Sequence, residues 1–292
     1  MRRVLTGVSA RQLSWWVAFT ALFISVFWPT IIWMAERFNA HGSFYSHGWL
    51  VPLASGWLIW QRRELVKACE LGESFSGLLL LVSSLLIHVV ATLWHLHFVS
   101  GFAMLGVLWG LVWTLWGRQA LWVLRFPLLF LLFMVPLPGI LLITISFQMK
   151  LVAASLATHA LTFFGIPALQ AGSTIQVPGS SVVVDDTCSG LRSLVSLIAL
   201  STLWTSLMRP PTTRWHRLAV VAASLPIALA ANMVRIVVLV LLSAIYGPWI
   251  AEGFLHYGSG LVVFGVAVAA LAWLSQSLVR LSSDAHSREA LS

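Results

Sequence analysis

Long apolar runs separated by short, mostly basic polar segments dominate this chain. The opening MRRVLTGVSARQLS is basic, and WWVAFTALFISVFWPTIIWMA follows at 15–35. That run is longer than a signal-peptide core and lacks a small-x-small cleavage site, so it reads as a retained span. Further runs fall at roughly 46–60, 75–93, 98–116, 119–138, 188–207, 218–245 and 258–278. With about 20 apolar residues needed per crossing, the expectation is about eight transmembrane helices. Pro52 and Gly56 make the second span short and irregular. The predicted fold class is all-α: a polytopic integral membrane helical bundle, forming one transmembrane domain over 1–292.

Residues 139–187 interrupt the pattern. ILLITISFQMKLVAASLATHALTFFG carries Lys150 and His159, which do not suit an ordinary lipid-facing span. It reads either as an amphipathic helix on the outer surface or as two short re-entrant pieces. AGSTIQVPGSSVVVDD then reads as a short β-like hairpin. Gly172 and Pro178-Gly179 turn the chain, while Ile175, Val177 and Val182 to Val184 favour strand. The whole insertion is expected outside the cytoplasm.

Composition sharpens the membrane reading. Hydrophobic residues make up 59% and charged residues 9% of the 292, against about 25% charged in a typical soluble domain. Lipid covers apolar outer faces that water would not. The net charge of +8 does not imply nucleic acid, because the cations form short groups between apolar runs rather than a stripe. Sixteen tryptophans, several near span ends, suit interfacial anchoring. With the N-terminus inside, 13 of the 17 Lys and Arg residues fall in cytoplasmic segments, leaving Arg37, Lys150, Arg192 and Arg235. The positive-inside rule predicts such asymmetry, and it places both termini in the cytoplasm. Cys69 and Cys188 then lie on opposite sides, so no disulfide between them is expected. Neither CxxC nor a zinc-ligand spacing occurs, and no metal or organic cofactor is expected.

Three polar positions converge on the outer face under this topology. Arg235, in ANMVRIVVLVLL, is a permanently charged group inside an apolar helix, which costs several kcal/mol unless it reaches water or a partner. It either snorkels or pairs with Asp185 or Asp186, or it serves chemistry, with Asn232 one turn earlier to position it. Cys188, in DDTCSGLRS, opens a span that descends from the outer face. First-turn amides and a nearby arginine would stabilise a thiolate there and could receive an oxyanion. Asp185 and Asp186 oppose the thiolate, or cap the helix, or grip Arg192, which lies one turn past Cys188 and shares its face. His256, in AEGFLHYGSG, titrates near neutrality and supplies a proton carrier. His47, in FYSHGWLVP, is a further outer-face candidate; its plain alternative is to bond a neighbouring loop.

Taken together, FYSHGWLVPL at 44–53, RFPLLFLLFMVPLP at 125–138, TCSGLRSLVSLIALS at 187–201, ANMVRI at 231–236 and HYGSG at 256–260 resemble the exosortase/archaeosortase family. The resemblance implies catalytic roles for Cys188, Arg235 and His256. It also implies a membrane cysteine protease or transpeptidase of the bacterial cytoplasmic (inner) membrane, acting on the extracytoplasmic side. Its substrates would be membrane-anchored proteins ending in a short motif, often Pro-Glu-Pro, then a hydrophobic helix and a basic tail. An acyl-enzyme would pass the product to a lipid or glycan acceptor, or to water, often alongside exopolysaccharide systems. The pair before the cysteine, Asp185-Asp186, departs from the Glu-Ala common in relatives, which bears on the signal recognised. The competing readings are a transporter with Arg235 in an anion path and a non-catalytic membrane scaffold.

Overall fold

The computed structural model describes residues 10–70, 72–185, 189–208, 213–247 and 254–289, with the side chains of 10–13, 16, 254–257 and 281–289 outside that description. Among the described residues, six helices are long and apolar enough to cross a membrane, where about eight were expected. The chain forms two compact units, 1–40 with 46–136 and 41–45 with 137–292.

The first unit contains α1 (Ala10–Asn39), a 3-10 turn at Ser46–Trp49, α2 (Leu50–Gln61), α3 (Arg63–Lys67), α4 (Phe75–Leu93), α5 (His97–Phe130) and a second 3-10 turn at Leu131–Met134. Two features lower the span count here. The expected span 46–60 is a tight turn followed by α2, whose 12 residues rise only about 18 Å. The expected spans 98–116 and 119–138 are joined in one stretch, His97–Met134. That stretch breaks at Gly117, whose φ of 78° is not helical. A side chain there would also meet the Gly72 carbonyl oxygen at 2.9 Å, so glycine is required twice over.

Small residues set the α4–α5 contact. A Cβ on Gly110 would lie 2.6 Å from the Leu81 amide nitrogen, and one on Gly77 2.6 Å from that of Thr114. Helices approach this closely only where side chains are absent. Deeper in the unit, His88 on α4 ties α1 to α5. Its Nδ1 lies 2.7 Å from Ser100 Oγ and its Nε2 3.1 Å from the Val26 carbonyl oxygen. A carbonyl only accepts, so Nε2 carries the proton and Ser100 donates to Nδ1. Thr30 Oγ1 then donates to Ser100 Oγ, which satisfies a polar cluster shut away from water.

The second unit contains α6 (Gly139–Phe163), β1 (Leu169–Ala171), β2 (Thr174–Val177), β3 (Ser180–Val183), α7 (Leu191–Leu207), α8 (Arg214–Tyr246) and α9 (Phe254–Glu289). Helix α6 is one continuous helix of 25 residues, not two re-entrant pieces, and it is among the six candidate spans. Its buried side bears Ser146, Ala153, Ala154, Ala157 and Leu161, while its outward side mixes Ile140, Ile143, Phe147 and Val152 with Thr144, Gln148 and His159. The three alanines pack in one cluster with Ile236, Leu239 and Val240 of α8.

The expected hairpin is a three-stranded antiparallel meander in the order β1-β2-β3. Its two turns fall at Gly172-Ser173 and Pro178-Gly179, where Gly172 and Gly179 take φ of 63° and 83°. One face of the meander buries Ile175 and Val177 against Ala153, Ala154, Ala157, Ile236, Leu239 and Val240. Ser180 Oγ lies 2.7 Å from Ser243 Oγ, pinning the start of β3 to the end of α8. Helix α8 has 33 residues, about 50 Å at 1.5 Å per residue. That exceeds a hydrocarbon core of about 30 Å, so α8 has length to spare for carrying the meander. Helix α7, at 17 residues, is the shortest of the apolar helices in this unit.

Candidate functional site

The second unit gathers its polar groups where α7, α8 and α9 meet. Arg235 is 7% exposed, and among the described residues no other Asp, Glu, Lys or Arg is buried. Helix geometry puts it 21 residues beyond Arg214, about 31 Å along α8, close to one hydrocarbon thickness. Its Nε–H donates to Ser259 Oγ at 3.3 Å. The guanidinium lies against α9 at Gly260, where a Cβ would sit 3.5 Å from Cζ, in ordinary contact.

One turn below on the same face, Asn232 is 4% exposed. Gly190 packs on it: a Cβ there would meet Asn232 Cγ and Nδ2, each at 2.9 Å. Gly190 takes φ 80°, the left-handed region, and caps α7. Helical bonding begins with Leu194 N–H donating to the Gly190 carbonyl at 2.9 Å. The buried Ser189 hydroxyl accepts from Leu191 N–H at 3.3 Å. Ser180 and Gly190 thus each touch α8, at Ser243 and Asn232.

A small cleft with about 10 Å³ of room, enough for one water molecule, opens beside these groups. Asn232, Arg235, Ser193 and Gly260 form its polar end, and Leu197, Ala228 and Ala267 close it with apolar surface. Such an arrangement can hold an anion or a polarised oxygen against a fixed guanidinium, screened from bulk water.

The sequence-predicted residues divide as follows. Arg235 and Asn232 line the same small cleft. Cys188 and Asp186 lie outside the described residues, and His256 lies in the backbone of α9 with its side chain outside the description. The helix expected to open at 188 opens instead at Leu191. The left-handed Gly190 breaks the continuous turn that would have set Arg192 on the face of residue 188, and Arg192 is half-buried in the first turn of α7. Asp185 is exposed just after β3. His47 belongs to the first unit. Burial lowers its pKa from the ordinary 6.5, a shift partly offset by a hydrogen bond with the Phe133 backbone.

Sequence reasoning missed Ser259, Gly260 and Gly190 as the partners of Arg235 and Asn232. The signal was the glycine-serine content of HYGSG and CSG, which placed small residues beside the two proposed reactive positions. Among the described residues, no group of three or more His, Cys, Asp or Glu side chains is placed to hold a metal ion.

Comparison with known proteins gives one match. The family model described as Transmembrane exosortase (Exosortase_EpsH) matches residues 33–273. No curated protein and no solved structure matches the chain.

Proposed function

The chain belongs to the transmembrane exosortase family, and from that membership and the geometry around Arg235 we propose that it is a membrane cysteine transpeptidase. It cleaves a C-terminal sorting signal of exported proteins and passes the acyl group to an envelope acceptor. The observation that carries this reading is the buried Arg235, held by Ser259 and Gly260 on α9 and standing one turn above the Asn232 that receives Gly190. Cys188 is two residues before Gly190, so covalent geometry keeps the two Cα atoms within about 8 Å. His256 is one turn before Ser259 and Gly260 in the same helix. These positions support the reading that Cys188, Arg235 and His256 act at one site.

In the proposed chemistry, the Cys188 thiol loses its proton to His256 and the thiolate attacks the scissile carbonyl carbon. A C–S bond forms, and the electron pair moves to the carbonyl oxygen, where Arg235 steadies the charge. Collapse breaks the C–N bond; the leaving amine takes the proton from imidazolium. An acceptor amine or hydroxyl, or water, then attacks the thioester, gives its proton to His256 and releases the thiolate. An arginine beside the thiol also favours the thiolate before attack.

The proposed site is at the extracytoplasmic face of the inner membrane with both termini cytoplasmic, a reading supported by the positive-inside count over the eight apolar runs of the sequence. A substrate with its own transmembrane helix would reach that face at fixed depth, its basic tail oriented by the same rule. The transporter reading requires polar groups through the full membrane depth, whereas the cleft beside Arg235 is lined in part by Leu197, Ala228 and Ala267.

The test is co-expression with an exported protein ending in a short motif, a hydrophobic helix and a basic tail, scored for loss of the tail. Wild type removes it; Cys188→Ala, Arg235→Ala and His256→Ala do not. Continued processing by Cys188→Ala would end the cysteine-nucleophile reading.

A further inference from the structure

Arg62 stands at the join of α2 and α3 in the first unit, and α5 holds it at two points. Its Nη1–H donates to the Val123 carbonyl at 2.8 Å, and its Cζ lies 5.8 Å from the centre of the Phe126 ring. Between those two residues in the chain comes Arg125, whose Cζ lies 4.8 Å over the Trp122 ring. The two guanidiniums repel each other. Burial first, and then the charge of Arg125, lower the pKa of Arg62. Among the described residues neither has a carboxylate partner. Glu64 is taken by Arg63 at 3.3 Å and Lys67 at 3.0 Å, and Glu70 and Glu73 pair with neither arginine. Val123 uses one of the five N–H donors of Arg62; no other hydrogen bond among the described residues involves the Arg62 or Arg125 side chain.

The surface beside this pair is apolar and uncovered. Trp122, under Arg125, is 54% exposed, and Trp60, with Arg63 at 4.3 Å over its ring, is 60% exposed. Tryptophans placed this way are at home at headgroup level in a bilayer. From Trp60 an exposed stripe runs back along α2 through Trp57, Leu53 and Leu50, which recur at helical spacing. The opposite side of α2 is the packed one, where Ser55 Oγ donates to the Pro127 carbonyl at 2.7 Å. Helix α2 rises about 18 Å, a little over half of a hydrocarbon core of about 30 Å. The stripe therefore has the length of one leaflet, with the arginines at its end.

We propose that Arg62 and Arg125 bind the phosphate of an anionic phospholipid, with an acyl chain lying along the α2 stripe. The site is independent of the cysteine chemistry. Three observations identify the occupant. Four cations, Arg62, Arg63, Lys67 and Arg125, share the single carboxylate of Glu64, so the patch calls for a net negative ligand. Phosphate oxygens accept from two guanidiniums at once, which removes the repulsion between them. A free anion would do that much but would leave the tryptophans and leucines of α2 uncovered, whereas a phospholipid covers both. A zwitterionic lipid brings its own cation beside the phosphate and fits the patch less well. Binding fastens the end of α2, which is too short to cross the membrane, to α5.

Lipid titration of the full-length protein in an uncharged detergent tests this. The probes are phosphatidylglycerol, phosphatidylcholine and inorganic phosphate, and the rise of the thermal transition with each gives an apparent Kd. Phosphatidylglycerol is expected to bind about tenfold more tightly than phosphatidylcholine or better, and inorganic phosphate at the same concentration to leave the transition unmoved. Arg125→Gln breaks no hydrogen bond among the described residues, so it retains the fold and carries the test. It should weaken phosphatidylglycerol binding about tenfold to hundredfold and leave phosphatidylcholine binding as it was. Arg62→Gln should do the same while also losing its bond to Val123. Arg214→Gln removes an exposed cation of the second unit and should keep wild-type affinity. Equal affinity for the two lipids, or wild-type affinity in Arg125→Gln, would overturn the proposal. So would an equal loss in Arg214→Gln, which would mean diffuse surface charge. Stabilisation by inorganic phosphate alone, as large as that by phosphatidylglycerol, would remove the lipid.

Discussion

Gly190 offers a sharp perturbation, because two separate costs meet at one atom. Gly190→Ala places a residue with a Cβ at φ 80°, which costs about 1–2 kcal/mol for an L-residue in the left-handed region. The new Cβ also arrives 2.9 Å from Asn232 Cγ and Nδ2 and 3.2 Å from Asn232 Cβ. Comfortable carbon contacts lie at about 3.5–4.0 Å, and overpacking of a buried site costs about 1–3 kcal/mol. The expected destabilisation is therefore about 2–5 kcal/mol. At about 2–4 °C per kcal/mol for a chain of this size, the thermal transition in detergent falls by roughly 4–20 °C. Adding Asn232→Ala removes Cγ and Nδ2 but not the backbone strain. The double variant should recover the steric share and leave the conformational share, a coupling of about 1–3 kcal/mol. Substrate processing, assayed well below the transition, should fall in Gly190→Ala because the displaced Asn232 lies one turn from Arg235. A Gly190→Ala protein melting within a degree of wild type, or one that Asn232→Ala fails to relieve, would refute the packing of the α7 cap on α8.

Other outcomes follow from the same geometry. Gly260→Ala puts a methyl in ordinary contact with the Arg235 guanidinium, so processing should survive; Gly260→Val adds bulk that the cation occupies and should lower it at least tenfold, and equal activity in both would remove Gly260 from the site. His88→Leu removes the acceptor of the buried Ser100 hydroxyl and the donor to the Val26 carbonyl, and should destabilise the protein by about 1–3 kcal/mol, measured by thermal unfolding; an unchanged transition would count against the cluster. Tyr45→Phe removes the acceptor for the Leu137 amide, at 3.2 Å, with a similar expected loss read by the same assay. His47 has its pKa lowered by burial. The neutral form is favoured in the fold, so its contribution is complete above the ordinary value of 6.5 and declines as pH falls below it. His47→Gln should flatten the acid-side fall of the transition temperature between pH 7.5 and 5.5, and an unaltered slope would contradict the assignment.

Much of the architecture was legible in the order of residues. Apolar runs mark spans because lipid admits only backbones that bond internally, and that rule acts on local sequence. The turns of the meander were legible for the same reason. Gly172, Pro178 and Gly179 set dihedrals that no distant contact has to supply. Arg235 stood out because a guanidinium within VRIVVLVLL has no local solution.

Tertiary structure decided what depends on a partner. That 139–163 runs as one helix rather than two pieces goes with the Ala153, Ala154 and Ala157 stripe meeting α8. The sequence shows those alanines but not the surface they meet. That α7 starts at Leu191 depends on Gly190 packing against Asn232, 42 residues away. Ser259 is an ordinary serine until α9 brings it to the Arg235 Nε–H. Local propensity fixes the elements one at a time, whereas a buried charge is satisfied only by groups from other elements, and those are chosen when helices pack.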